Sequence, residues 1–414
     1  MSEVAQAPHS SPDGRIPQLR FPEFDGVWES RLLKDAVKIN PRSGELPDEF
    51  IYIDLESVKK GYLIKETQIN KIGAPSRAQR LLNKNDVIFQ TVRPYQKNNY
   101  FFNLDGDYVA STGYAQLRVL NSPEFLYQAL HTDRFVYDVM ARSTGTSYPA
   151  INSTDLSKIK LNLPTKPEQQ KIAAFLTAVD NKIEQLSKKQ ELLGEYKKGL
   201  MQQIFSQEIR FKADDGSDFP DWEEKKLGNI SNVSKLAGYE FTKYIKYQDT
   251  GSIIALRGLN IKKNKLDLSV VKFIDNSDFS RLNRSKLFID DLMFTYIGTI
   301  GEVALIDEDD KYYLAPNVSR IRFNNEVCLP RFAIQYFNRE VFKQGEIKKY
   351  VSSSSQPALT MGNVRLFILN LPTKPEQQKI ANFLSSIDSK IEQVGEQLDK
   401  SKQFKKALLQ KMFV

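Results

Sequence analysis

Few of the 414 residues have the type and spacing that covalent chemistry requires. His9 and His131 lie far apart and have no cysteine neighbours, so a zinc site is not expected. The one cysteine, Cys328, excludes an intramolecular disulfide framework and suits a reducing cytoplasm. The chain carries no GxxxxGK[ST] phosphate loop, no GxGxxG dinucleotide turn and no GxSxG nucleophile elbow. No histidine neighbours a candidate nucleophile, as a Ser-His-Asp site would need. The acidic runs Asp214-Asp215 and Asp307–Asp310 read as surface turns. Glu346-Ile347-Lys348 and Glu223-Glu224-Lys225 have the ExK spacing seen at nuclease sites. Such tripeptides are frequent by chance, and Glu346 falls in an expected exposed helix. No catalytic and no metal-ligating residue is assigned.

What remains is polar and cationic chemistry. The formal net charge is +8, which points to an acidic partner such as nucleic acid. The excess is spread along the chain, so a basic surface must be assembled by folding. Hydrophobic residues make up 41%, enough for sizeable cores, and the length suits two or more domains. No apolar run approaches a membrane span. Residues 1–16 have no charged-then-apolar signal pattern and are expected to form a flexible leader.

The elements that would position such groups are announced by a repeat. The stretch LNLPTKPEQQKIA occurs at Leu161–Ala173 and again at Leu369–Ala381, 208 positions later. The likeness continues to Phe205 and Phe413 at the same offset. Thr165-Lys166-Pro167-Glu168 and Thr373-Lys374-Pro375-Glu376 fit a capping box with proline in the first turn. In the second copy Ile380, Leu384, Ile387, Ile391, Val394 and Leu398 recur with coiled-coil spacing. The first copy offers Ile172, Leu176, Val179, Ile183 and Leu186, then Gln190 and Leu193. The pattern then shifts to Tyr196, Leu200 and Ile204, matched by Phe404, Leu408 and Met412. Helices of about 38 residues, roughly 57 Å long, cannot hide such stripes alone. They are expected to pack antiparallel on each other, with a globular domain before each and a pseudo-two-fold axis across the pair.

The two intervening domains share landmarks. Asp86-Val87-Ile88-Phe89 matches Asp291-Leu292-Met293-Phe294 as a short apolar strand after a polar turn. Pro123-Glu124-Phe125 and Pro330-Arg331-Phe332 each open a helix, and the loop at 143–151 aligns with that at 352–359. The expected class is α+β: two mixed α/β domains, 17–160 and 207–368, with helical segments 161–206 and 369–414.

Two helices beginning LP-x-x-x-EQ-x-x-I, each after a Ser/Thr-rich P-A-[IL] loop, in a basic two-domain chain, resemble the specificity subunit of bacterial type I restriction-modification systems. The resemblance runs from about Arg20 to the end. It implies two target recognition domains, each reading one half of a bipartite asymmetric site on double-stranded DNA. It implies helices that set the gap and dock two methyltransferase subunits, with restriction/translocase subunits joining the full complex in the cytoplasm. It further implies a non-catalytic chain with no cofactor of its own, AdoMet, ATP and Mg belonging to partner subunits.

DNA affinity needs Lys and Arg for phosphates, and sequence reading needs side chains that reach base edges. The first domain offers Lys59, Lys60, Arg77, Gln79, Arg80, Arg93, Lys97 and Asn98, with Thr144 and Thr146 in the Ser/Thr loop as phosphate donors. The second offers Tyr239, Arg257, Asn260, Lys262, Lys263, Arg281 and Arg284, with Ser353 and Ser354. Arg77, Arg80, Arg93, Arg257 and Arg284 are the strongest of these. Two other readings stay open: a coiled-coil adaptor that scaffolds a protein complex, and a fused enzyme with an unrecognised site.

Overall fold

The strand Asp86–Gln90 is apolar on both faces, and the computed structural model shows why. Val87 and Phe89 enter a core with Leu117, Leu126, Phe135 and Ile159, while Ile88 enters another with Ile53, Phe102 and Tyr114. Successive side chains of a strand point to opposite faces, so this strand divides two cores. The strand Leu292–Thr295 repeats the arrangement, with Leu292 and Phe294 on one core and Met293 on the other. Residues 15–119, 121–352 and 357–414 are described by the structure; Ser353, Ser354, His9 and most of the leader lie outside them.

The chain divides into two compact units, one running up to Lys189 together with Val394–Val414, the other Gln190–Gln393. In the first unit an antiparallel sheet has the order Val37–Ile39, Tyr114–Val119, Asp86–Gln90, Tyr100–Phe101. A second sheet has the order Thr67–Asn70, Glu49–Ile53, Tyr108–Ser111, Ala78–Leu81, its middle pair parallel. In the second unit the antiparallel sheet is Ser231–Lys235, Val318–Phe323, Leu292–Thr295, Val303–Leu305. Its parallel pair is Ile254–Leu256 with Tyr312–Leu314. Helices Pro123–Ala129 and Pro330–Phe337 begin at the expected prolines. The fold is mixed α and β, as expected, with long helices Lys166–Phe205 and Lys374–Met412.

The start of each long helix corrects one local expectation. Glu168 does not reach back to close a capping box. It is fully buried, and it accepts from Arg20 Nε and a terminal Arg20 nitrogen, both at 2.8 Å, and from Trp28 Nε1 at 3.3 Å. Glu376, equally buried, accepts from Arg210 at 3.2 and 2.8 Å and from Trp222 Nε1 at 3.2 Å. A guanidinium fork outcompetes a backbone N–H because both oxygens are then satisfied by a charged partner. The buried hydroxyl of Thr373 is left without a hydrogen-bond partner. The next residue ties back as well: the Gln169 and Gln377 amides donate to the carbonyls of Pro164 and Pro372, each at 2.9 Å.

Beyond this start, Ile172, Leu176, Ile183, Leu186, Ile380, Leu384, Ile387, Val394 and Leu398 are buried, as their spacing requires. Tyr196 and Phe404 are not; they are 56% and 53% exposed. The stripe does not shift there. It continues in step through Lys197 and Lys405. In the second unit Lys197 is buried and binds Asp388 at 2.7 Å and Gln335 at 2.9 Å. In the first unit Lys405 binds Asp180 at 2.5 Å, and Asp180 also accepts from Gln128 at 2.8 Å. A lysine stem packs along an apolar stripe as a hydrophobe does, so polarity alone misplaces it.

Breaking either buried glutamate clamp should be costly. Glu168→Ala leaves the Arg20 guanidinium without its carboxylate, only the Asp25 and Gly26 carbonyls still accepting from it, and leaves the Trp28 N–H without an acceptor in a nearly dry site. The expected loss is about 3–5 kcal/mol, read as a lower urea midpoint, and Glu376→Ala should behave alike. A midpoint within error of the parent would mean the clamp contributes nothing to stability.

Candidate nucleic-acid interface

In the first unit the turn Ser111-Thr112-Gly113, between two core strands, organises the cationic side chains. Thr112 N donates to Arg77 O at 2.9 Å, and Thr91 donates to Gly113 O through both its N–H and its hydroxyl. The strand Ala78–Leu81 carries Arg80 opposite Ala110. Two residues past Thr91, Arg93 N donates to Pro149 O at 2.7 Å, and Val92 bridges Ala150. The Ser/Thr loop is thereby closed against Arg93, with Thr144 paired to Ala150 in both directions. The hairpin Val58–Lys59 with Tyr62–Leu63 joins the group because Asn98 Oδ1 accepts from Lys60 N at 2.9 Å. The fold thus brings Lys59, Lys60, Arg77, Arg80, Arg93, Asn98, Thr144 and Thr146 to neighbouring loops.

These residues differ in what they leave free. Lys59, Lys60, Arg77, Arg80 and Arg93 form no ion pair among the described residues. Burial pulls the Arg80 guanidinium below its usual value, and its Nε is buried without a hydrogen-bond partner. Lys97 is committed elsewhere: its ammonium donates to His131 O at 2.8 Å and to Asp133 at 2.6 Å. His131 is held neutral beneath it, its pKa pushed down to about 4 by burial. The Gln79 amide closes its own turn by donating to Ser76 O at 2.7 Å.

The second unit has an equivalent turn, Ala315-Pro316-Asn317. Tyr296 N donates to Asn317 O, Leu359 N donates to Tyr296 O, and Ile297 bridges Ala358. In the first unit Thr91, Ile151, Val92 and Ala150 make the same bonds. Arg257 enters this turn through Gly258, whose N–H donates to Pro316 O, and the Lys235 ammonium lies 5.1 Å over the Tyr296 ring. Lys235 was not among the strongest sequence candidates; the register Lys235↔Ser319 places it at the turn. Arg281 and Arg284 lie in short 3-10 turns, exposed and without ion pairs among the described residues, and Tyr239 is 61% exposed. Lys262 pairs with Asp267 at 2.7 Å, and Lys263 N–H donates to Glu302.

Asn260 has a different task from base reading. It is fully buried. Its oxygen accepts from Arg257 N at 3.1 Å, and its nitrogen donates to Asp267 O and Val270 O, both at 2.9 Å. It shapes the loop that carries Arg257. Glu346, expected on an exposed helix, sits half-buried in a π-helical turn and accepts from Ile368 N at 3.0 Å. Among the described residues no cluster of three His, Cys, Asp or Glu could hold a metal ion, and no helix is long and apolar enough to cross a membrane.

Two mixed α/β units, each with a cation-rimmed turn and each including part of both long helices, define an α+β protein built from two such units. The chain belongs to the family described as type I restriction modification DNA specificity domain, whose model matches residues 26–193 and 220–400. It is similar to the type I restriction enzyme MjaVIII specificity subunit of Methanocaldococcus jannaschii, 27% identical over 277 residues, covering 63% of this chain and 64% of that protein. The chain thus spans just under two thirds of that relative. The EcoBI specificity subunit of Escherichia coli is 22% identical over 419 residues, 88% of this chain and 86% of that protein. The type I restriction-modification S subunit from M. genitalium shares the fold with a TM-score of 0.63 at 16% identity, over 96% of this chain and 99% of that one.

Asn260→Ala should lower unfolding stability by about 1–3 kcal/mol and speed hydrogen exchange across 257–271. Unchanged exchange there would show that the loop holds its shape without the Asn260 amide.

Proposed function

We propose that this chain reads DNA sequence as the specificity subunit of a type I restriction-modification complex, each unit recognising one half of a bipartite site on double-stranded DNA. The reading is supported above all by the recurrence, in both units of a family member, of one backbone frame with cations around it that form no ion pair among the described residues. Lys59, Lys60, Arg77, Arg281 and Arg284, exposed and unpaired, suit phosphate; Arg80, Arg93 and Arg257, anchored and partly buried, suit base edges. Thr144 and Thr146, with Ser353 and Ser354, would donate to phosphate.

The chain itself is non-catalytic in this proposal. Methyl transfer and ATP-driven restriction belong to two methyltransferase subunits and to restriction/translocase subunits, with AdoMet, ATP and Mg bound there, in the cytoplasm. The two long helices form an antiparallel coiled coil generated by internal duplication, which sets the spacer and docks the partners. Supporting this are the reciprocal pairs Lys405–Asp180 and Lys197–Asp388. Their members are related by the same 208-residue offset as the repeat, and the residue numbers of each pair have the same sum, as antiparallel pairing demands. Phe413 packs on Trp28 and Phe125 in the first unit, and its counterpart Phe205 packs on Trp222 and Phe332 in the second.

The decisive experiment is a salt titration of duplex binding by the full chain. Sequence-selective binding should weaken steeply with salt. Arg77→Ala and Arg284→Ala should each weaken binding to all sequences and reduce the slope of log K against log salt by about 1. Binding insensitive to salt, or methyl transfer by the purified chain alone, would overturn the proposal. A charge-reversal cycle tests the helix pairing. Lys197→Asp should destabilise the second unit, and adding Asp388→Lys should recover part of the loss; a double variant no better than the single would remove the pair as a determinant of register.

A further inference from the structure

Arg93 combines three features that a solvated surface arginine lacks. Its backbone is in the left-handed region, at φ 54°. Its Nε is buried and has no hydrogen-bond partner. Its guanidinium lies 5.4 Å over the ring of Tyr148, which is itself 67% exposed. Left-handed backbone is costly for a branched or long L-residue, and a buried N–H left unpaired is costlier still.

The second unit shows what the backbone alone would choose. Thr91 and Tyr296 make the same pair of bonds, to Gly113 and Ile151 in one unit and to Asn317 and Leu359 in the other. Counting two residues on, the position equivalent to Arg93 is Gly298, at φ 78°. The frame demands positive φ here in both units. Glycine meets that demand without strain, yet the first unit places arginine there and stacks it on an aromatic ring.

We infer that Arg93, set over the Tyr148 ring, is a specificity-determining residue that reads a guanine in the major groove; this deepens the proposed DNA recognition and rests on it. With Nε turned into the protein, the end of the guanidinium is the part left to a partner. Two parallel N–H donors match the O6 and N7 acceptors of guanine, a pairing no other base offers. The Tyr148 ring and the buried Nε restrict the guanidinium before binding, so less rotamer freedom is lost on contact. No carboxylate among the described residues pairs with Arg93, so the fork is not already occupied. The loop that supplies Tyr148 is tied down by Arg93 N to Pro149 O and by the Thr144–Ala150 pair.

The test is selection of duplexes from a randomised library by the full chain, comparing the parent with Arg93→Lys, Arg93→Gly and Tyr148→Ala. Arg93→Gly relieves the backbone, so its melting temperature should equal or exceed that of the parent. In the parent one G·C pair of one half-site should be strongly preferred. Arg93→Lys and Arg93→Gly should lower that preference by roughly 5- to 150-fold, leaving the other positions and the other half-site unchanged. Tyr148→Ala should weaken the same position to a lesser degree. Uniform weakening of all sequences, with a shallower salt dependence, would make Arg93 a phosphate contact and overturn the inference while leaving the proposed function intact. A changed preference at an A·T pair would overturn it too. A parent chain that selects no sequence would overturn the proposed function and the inference with it.

Discussion

A carboxylate with no exposed surface is the constraint on which each unit is built. Glu168 and Glu376 stand in the first turn of a long helix, where the helix dipole already favours negative charge. Burial would still be prohibitive without a partner of opposite charge that fills both oxygens. The partner is an arginine far upstream in sequence, Arg20 or Arg210, with a tryptophan N–H completing the shell. Because the pairing must be kept intact or lost whole, it fixes the leading segment of each unit onto the start of its helix. In the first unit Phe21 then stacks edge-on to Phe175, and Trp28 meets Phe125 and Phe413. The words LNLPTKPEQQKI recur because several of their letters have a task at this junction. Leu161 and Leu369 are buried, Glu takes the fork, Gln ties back to the proline carbonyl, and Ile enters the core.

A stripe of apolar side chains buries area but tolerates slippage, since one leucine replaces another at small cost. The Lys–Asp–Gln sets remove that freedom within each unit. Lys197, Asp388 and Gln335 saturate one another at one register only, and a slip by one turn would leave an ammonium buried without an acceptor. Gln335 belongs to the short helix Pro330–Phe337, and Gln128 to Pro123–Ala129. The same contact that sets the helix register therefore also orients a short helix of the globular part in each unit.

Patterns carried by neighbouring residues were legible in the sequence. The long helices, the apolar strands at Asp86 and Leu292 and the prolines that open helices all obey local periodicity or turn chemistry, and all stand where their residues point. What was not legible depends on partners distant in sequence. Glu168 looks like half of a capping box until Arg20 is placed beside it. Lys197 breaks an apolar stripe only if its stem is ignored. Asn260 looks like an adenine reader, and Lys97 like a phosphate contact, because nothing local reveals Val270 or Asp133 waiting for them. The grouping of Arg77, Arg80 and Arg93 around one turn likewise depends on strand order, which a single sequence does not state.

The pair of turns at Gly113 and Asn317 carries this reasoning to the recognition loops. Backbone bonds there are the same in both units, and the left-handed positions recur at Arg93 and Gly298. The side chains are not the same: threonine faces tyrosine, glycine faces asparagine, arginine faces glycine. Where main-chain bonds recur in both units and only one adds a side-chain bond, that of the Thr91 hydroxyl to Gly113 O, side chains can change without moving the frame, because the shared stabilising groups are common to all residue types. Such a frame lets chemistry vary at fixed geometry. It also makes strain informative, since a residue that the backbone disfavours must be kept there by something its side chain does.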